Sequence, residues 1–172
     1  VYKSASPLVE QLIGKCKLTL IWTGEAIPPT TVKDYFDDFS QCYFQPDGSL
    51  VIPDNLANND FDMVYFPDVG MSDESVWLSN CRIAPIQAVG YGHPDTTGDN
   101  NEIDYFICGD VEKDADDAYS ETRVCLPGLA QEPAWPTAEK AYNYPNDGVV
   151  RINCVWGPDK YNFTLLSVLA EI

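Results

Sequence analysis

Histidine is almost absent from this chain: His93 is the single one in 172 residues. No Ser-His-Asp or Cys-His set can be assembled around it from the sequence, and no histidine cluster exists to ligate a metal. Basic side chains are scarce as well, with ten Lys and Arg against 27 Asp and Glu and a net charge of −17. A surface of that sign repels phosphate backbones, which argues against nucleic acid and anionic membranes as partners. No apolar run approaches the roughly 20 residues that cross a bilayer, so no membrane span is expected. No CxxC occurs among the six dispersed cysteines, which gives a zinc site little support. No Gly-Lys-Ser/Thr follows a glycine loop, so the chain has no P-loop. Internal repeats and low-complexity tracts are missing too.

What is present suits an α/β domain. The apolar fraction of 45% is enough for a buried core. The acid is concentrated in the middle: residues 54–121 hold 16 acids and 2 bases, whereas 1–53 hold 6 and 4, and 122–172 hold 5 and 4. Solubility accounts for such a stretch, and a cationic partner or basic neighbouring domain fits it also. Cysteines in apolar runs such as Tyr105-Phe106-Ile107-Cys108 read as small buried hydrophobes, with a reducing cytoplasm the simpler compartment, although the even count permits disulfides. The chain opens at Val1 without methionine or a signal-peptide pattern, which predicts a piece of a longer protein.

Strand-like and helical runs alternate. Leu18–Trp22, Gln41–Phe44, Asp62–Pro67, Pro85–Tyr91, Ile103–Cys108, Val124–Leu126 and Val149–Val155 read as strands. Thr31–Phe39 reads as a helix from Val32, Tyr35, Phe36 and Phe39 at i, i+3, i+4 and i+7. Ser72–Cys81 reads as a helix capped by Ser72, and Asn162–Ile172 as a third. Residues 127–148, rich in proline, alanine, tyrosine and asparagine, read as a linker. This alternation predicts a Rossmann-like, mostly parallel sheet with helices on both faces. Ligands of open parallel sheets bind beyond the carboxyl ends of the strands. The loops at Thr23-Gly24, Asp68–Gly70 and Gly90–Gly98 all follow strands, and they are expected to converge on one cleft.

The passage from Arg82 to Asp104 holds the candidate chemistry. Tyr91-Gly92-His93-Pro94 leaves a strand end, and His93 there suits a hydrogen bond to phosphate or hydroxyl, or a general base. A loop histidine satisfied by backbone is the plain alternative. Thr96, Thr97 and Gly98 offer hydroxyl and amide hydrogens to a phosphate, or form an ordinary turn. Lys160, after a Gly-Pro turn and before a helix start, suits an anion site, or is a solvated surface lysine. Asp114, Asp116 and Asp117 read as a solvated acidic face rather than a metal site. Asn162-Phe163-Thr164 matches the glycosylation pattern by chance.

Four segments in order carry a family resemblance: Asp62–Met71 (DMVYFPDVGM), Arg82–Gln87 (RIAPIQ), Gly92–Thr97 (GHPDTT) and Ile103–Tyr105 (IDY). Over roughly residues 60–127 the chain resembles the bacterial HMW1C-like glycosyltransferases, relatives of the O-linked N-acetylglucosamine transferases. The resemblance implies a two-domain GT-B architecture. Residues 1–146 would be a Rossmann-like acceptor-side domain, and 147–172 the start of the donor-binding domain. It implies transfer of a hexose from a UDP-sugar to an Asn, Ser or Thr of a protein acceptor. No cofactor and no required metal are implied, and the remaining donor-binding half of the same protein would be a partner. It implies His93 as the catalytic residue, and Tyr91, Gly92, Thr96, Thr97, Gly98 and Lys160 as substrate-binding, with Lys160 at the donor diphosphate. Some relatives carry a second histidine where Gly98 stands. These 172 residues alone are expected to turn over nothing. The competing expectations are a non-catalytic acidic α/β interaction domain and a flavodoxin-like mononucleotide binder.

Overall fold

A computed structural model describes residues 2–58, 60–90, 96–98, 101–112, 118–130, 147–149, 157 and 161–171. The chain divides into two compact units, Val1–Pro136 and Thr137–Ile172.

The first unit opens with helix α1 (Tyr2–Leu12). Strand β1 (Thr19–Thr23) follows, then one helical turn, α2 (Thr30–Lys33), and strand β2 (Asp38–Phe44). β1 and β2 run parallel, and β2 turns back into the short antiparallel strand β3 (Leu50–Val51). That turn is chemically specified. The Asp47 carboxylate accepts both the Ser49 amide and the Ser49 hydroxyl, and Gly48 supplies a φ of 83°.

The expected helix over Thr31–Phe39 is corrected: helical geometry ends at Lys33, and Phe39 lies in β2 opposite Leu20. Two carboxylates divert the backbone. Asp37 accepts the Leu18 amide at 2.8 Å, and Asp38 accepts the Phe39 amide at 2.8 Å. The amides of Asp37 and Asp38 both donate to the Leu18 carbonyl, so pairing with β1 overrides the helical spacing.

After the one-turn helix α3 (Asp54–Ala57) comes a four-stranded, wholly parallel sheet. Its strands are β4 (Met63–Phe66), β5 (Ile86–Val89), β6 (Tyr105–Gly109) and β7 (Thr122–Leu126), lying side by side in chain order. The crossover from β4 to β5 carries helix α4 (Asp73–Ser79). Ser72 caps it as expected, its hydroxyl accepting the Ser75 amide at 3.1 Å, and Asp73 and Glu74 face the positive end of the helix dipole. The chain is therefore α/β with a mostly parallel, Rossmann-like arrangement, in two sheets rather than one continuous sheet.

One core spans the unit. Val64 and Phe66 of β4, Val89 of β5 and Phe106 and Cys108 of β6 are buried with Cys42 of β2 and Leu78 of α4. The alternation along β4, with Met63 exposed and Val64 and Phe66 buried, shows one face turned inward. Tyr119 packs its ring on Phe106, with centroids 4.7 Å apart, which ties the approach to β7 onto the core.

In the second unit the described residues are few. Helix α5 (Phe163–Glu171) begins where expected, and the Asn162 side chain caps it by accepting the Leu165 amide at 3.0 Å. The expected strand over Val149–Val155 and most of the linker expected over residues 127–148 lie outside the described residues.

Candidate functional site

Parallel strands put their carboxyl ends on one edge of a sheet. The Asp68–Gly70 loop after β4 and the loop after β5 therefore leave the same edge. Thr23-Gly24 follows β1 and belongs to the other sheet, so of the three expected loops only two share an edge. At the end of β5, Gly90 donates its amide to the Phe66 carbonyl at 2.9 Å. A Cβ on Gly90 would overlap the Tyr65 hydroxyl and ring, so a larger residue there requires the Tyr65 side chain to move. Burial pushes the Tyr65 phenol above its ordinary value.

The first half of the key passage is clamped to the segment just before β6. Gln87 is completely buried. Its side-chain oxygen accepts the Ile83 amide at 2.8 Å, and its nitrogen donates to the carbonyls of Glu102 and Cys81 at 2.6 and 3.1 Å. Its own amide donates to the Asp104 carboxylate at 2.8 Å. Arg82 meets Glu102 at 3.0 Å and Asp104 at 2.7 Å. The Arg82 guanidinium, bonded to Asp104, holds that carboxyl below its ordinary value. The segments Arg82–Gln87 and Ile103–Tyr105, separate in sequence, are thus one hydrogen-bonded unit.

The second half ends in a different anchor. Thr96, Thr97 and Gly98 lie against Glu121, the residue before β7. The Glu121 carboxylate accepts the Thr96 hydroxyl at 2.7 Å, the Thr97 amide at 2.8 Å and the Thr97 hydroxyl. Thr96 Oγ1 in turn accepts the Gly98 amide at 3.2 Å and the Ser120 amide at 3.1 Å. Burial alone would push the Glu121 carboxyl up, but the hydrogen bonds from Thr97 and Thr96 outweigh it and hold the group below its ordinary value. In this structure the hydrogens of Thr96 and Thr97, expected to be offered to a phosphate, go to the internal Glu121 carboxylate, and the Gly98 amide donates to Thr96 Oγ1.

Of the expected site residues, Thr96, Thr97 and Gly98 are therefore together at the foot of the loop. Tyr91, Gly92, His93 and Lys160 lie outside the described residues, as do Asp114, Asp116 and Asp117. Sequence reasoning missed Gln87 and Glu121. Gln87 carried a signal, a polar residue inside an apolar strand. Glu121 carried none, since its partners are 24 and 25 residues away. Among the described residues no three His, Cys, Asp or Glu side chains gather as a metal site, and no helix is long and apolar enough to cross a membrane.

Comparison with curated proteins finds two relatives, each called UDP-glucose:protein N-beta-glucosyltransferase. Both come from Actinobacillus pleuropneumoniae, one from serotype 5b strain L20 and one from serotype 7 strain AP76. Each is 39% identical over 119 residues, 63% of this chain. The resemblance to HMW1C-like glycosyltransferases holds. The chain spans 18% of the length of each of these relatives. No family model matches the chain.

Proposed function

We propose that this chain is part of a glycosyltransferase that moves a hexose from a UDP-sugar to an Asn, Ser or Thr side chain of a protein acceptor. The 39% identity to protein N-glucosyltransferases carries this reading. It is supported by the loop that leaves the carboxyl edge of a parallel sheet through Gly90 and returns to a buried carboxylate at Glu121.

In this reading His93, which falls in sequence between Gly90 and Thr96, assists the acceptor nucleophile. Tyr91 and Gly92, just before it in sequence, bind substrate. Thr96, Thr97 and Gly98 bind substrate, while the Thr96 and Thr97 hydroxyls and the Thr97 amide hold Glu121 and the Gly98 amide holds Thr96. Lys160, two residues before the Asn162 cap of α5, meets the leaving diphosphate with the positive end of that helix. Residues 1–146 serve the acceptor side and 147–172 open the donor side, completed by the remaining donor-binding half of a longer protein. No metal takes part, and the protein works in the cytoplasm.

The test is transfer by the full-length protein, offered UDP-glucose, UDP-galactose and UDP-N-acetylglucosamine with a peptide acceptor pool. Wild type is run beside Lys160→Ala, with UDP binding followed by calorimetry. Transfer that drops at least tenfold in the variant, with weaker UDP binding, supports the reading. Absence of both transfer and UDP binding in the wild type refutes it. Salt-sensitive capture of a basic protein would then favour the acidic interaction domain.

A further inference from the structure

Strands β6 and β7 pair residue for residue, and the register sets Cys108 directly opposite Cys125. Their sulfurs lie 3.3 Å apart, as two free thiols in contact. The two positions differ in access. Cys108 is fully buried, whereas Cys125 is exposed on β7, the edge strand of the four-stranded sheet. Among the described cysteines, Cys16, Cys42 and Cys81 have no sulfur neighbour of this kind in the hydrogen-bond network. Geometry permits a bond. Adjacent strands run about 4.8 Å apart, inside the roughly 4.4–6.8 Å Cα window of a disulfide. The sulfurs need to close by little more than 1 Å to reach the ~2.05 Å bond.

We propose that Cys108 and Cys125 are a redox-active thiol pair that takes up two oxidising equivalents from a low-molecular-weight disulfide. The exposed Cys125 thiolate attacks one sulfur of the small disulfide. That S–S bond breaks, a mixed disulfide forms on Cys125, and one small thiol leaves with the proton Cys125 gave up. The Cys108 thiolate then attacks the Cys125 sulfur, the protein disulfide forms, and the second small thiol leaves with the Cys108 proton. The protein loses two hydrogens and the small disulfide is reduced to two thiols. The order follows from access, because the oxidant reaches Cys125 and only Cys125 reaches Cys108.

Burial pushes the Cys108 thiol up to about 11. The second step therefore waits on a rare thiolate, whose population rises about tenfold per pH unit below that value. The bridge would fasten edge strand β7, whose preceding residue Glu121 anchors the Thr96–Gly98 turn. The proposal stands on the strand register and does not depend on the glycosyltransferase reading.

The experiment incubates the chain with oxidised glutathione at pH 7, 8 and 9, quenches with acid, alkylates in denaturant and maps peptides without reduction. The expected result is a Cys108–Cys125 linked peptide with the mass of two lost hydrogens. Its formation from the mixed disulfide should speed up about tenfold per pH unit. Cys108→Ser should stop at a stable glutathione adduct on Cys125, and Cys125→Ser should leave Cys108 unmodified. The proposal is overturned if wild type stops at the Cys125 adduct, if both thiols alkylate fully after oxidation, or if Cys125 pairs with a different cysteine.

Discussion

The passage from Arg82 to Asp104 is held at two places in opposite ways. Where its two ends meet, a neutral amide, Gln87, is fully buried and bonded to three backbone groups through its side chain. In its middle, Thr96 and Thr97 give two hydroxyls and one amide to a buried carboxylate, Glu121. A buried amide needs no charge to be solvated and is indifferent to pH. A buried carboxylate holds its donors more strongly while ionised, and releases them when it takes a proton. The Gln87 side-chain bonds are therefore a structural fixture, and the Glu121 anchor before β7 is the more adjustable one.

The comparison is tested most strongly by Gln87→Leu. It leaves the Ile83 amide and the Cys81 and Glu102 carbonyls without their partner, at about 1–3 kcal/mol for each group that stays buried. A total loss of roughly 3–5 kcal/mol is expected in urea unfolding, with no change in pH dependence. Glu121→Ala comes next. It leaves the Thr97 hydroxyl and amide without their carboxylate, while Thr96 keeps the Ser120 hydroxyl, and should lower stability by about 1–3 kcal/mol.

Glu121 also sets a pH signature. Its folded pKa is depressed below the ordinary 4.5, so its contribution is fully present above that value. The contribution is lost as pH falls from 4.5 through the lower folded value. Urea midpoints between pH 7 and 3 should therefore drop less steeply for Glu121→Gln than for wild type, and equal slopes would remove Glu121 from the acid limb.

Gly90→Ala is expected to cost about 1–3 kcal/mol by overpacking against Tyr65. If the full-length protein is the proposed glycosyltransferase, the substitution should reduce transfer more than that stability loss explains, because the chain leaves β5 there. A thermal melt read beside a transfer assay separates the two effects. The smallest effect belongs to Arg82→Ala. Its ion pairs are about one-third exposed, and Asp104 keeps the Gln87 amide. A loss of about 0.2–1 kcal/mol is expected, shrinking further in high salt.

Much of this arrangement was legible in the sequence because it is local. Each strand of the parallel sheet falls on an apolar run, and the Ser72 cap is written in Ser72-Asp73-Glu74. The failures have physical reasons. The spacing of Val32, Tyr35, Phe36 and Phe39 is helical, yet strand pairing with β1 and two local carboxylates decided the backbone. Helix α1 went unread because Pro7 sits in its middle, although Leu8 and Leu12, and Val9 and Ile13, keep the four-residue spacing. The Thr96-Thr97-Gly98 turn was visible, but the carboxylate that occupies it was not. Nothing local distinguishes Glu121 from the other acids of residues 54–121, and only the fold brings it to the turn.

The most direct test of the account is sugar transfer by full-length His93→Ala and Glu121→Gln beside wild type, each checked by thermal melt. We expect His93→Ala to lose at least a hundredfold in transfer with its melting temperature unchanged, consistent with a general base worth about 10²–10⁴-fold. Glu121→Gln should lose part of both transfer and stability. Undiminished transfer by a folded His93→Ala protein would contradict the central claim that the loop between Gly90 and Glu121's threonines carries the chemistry.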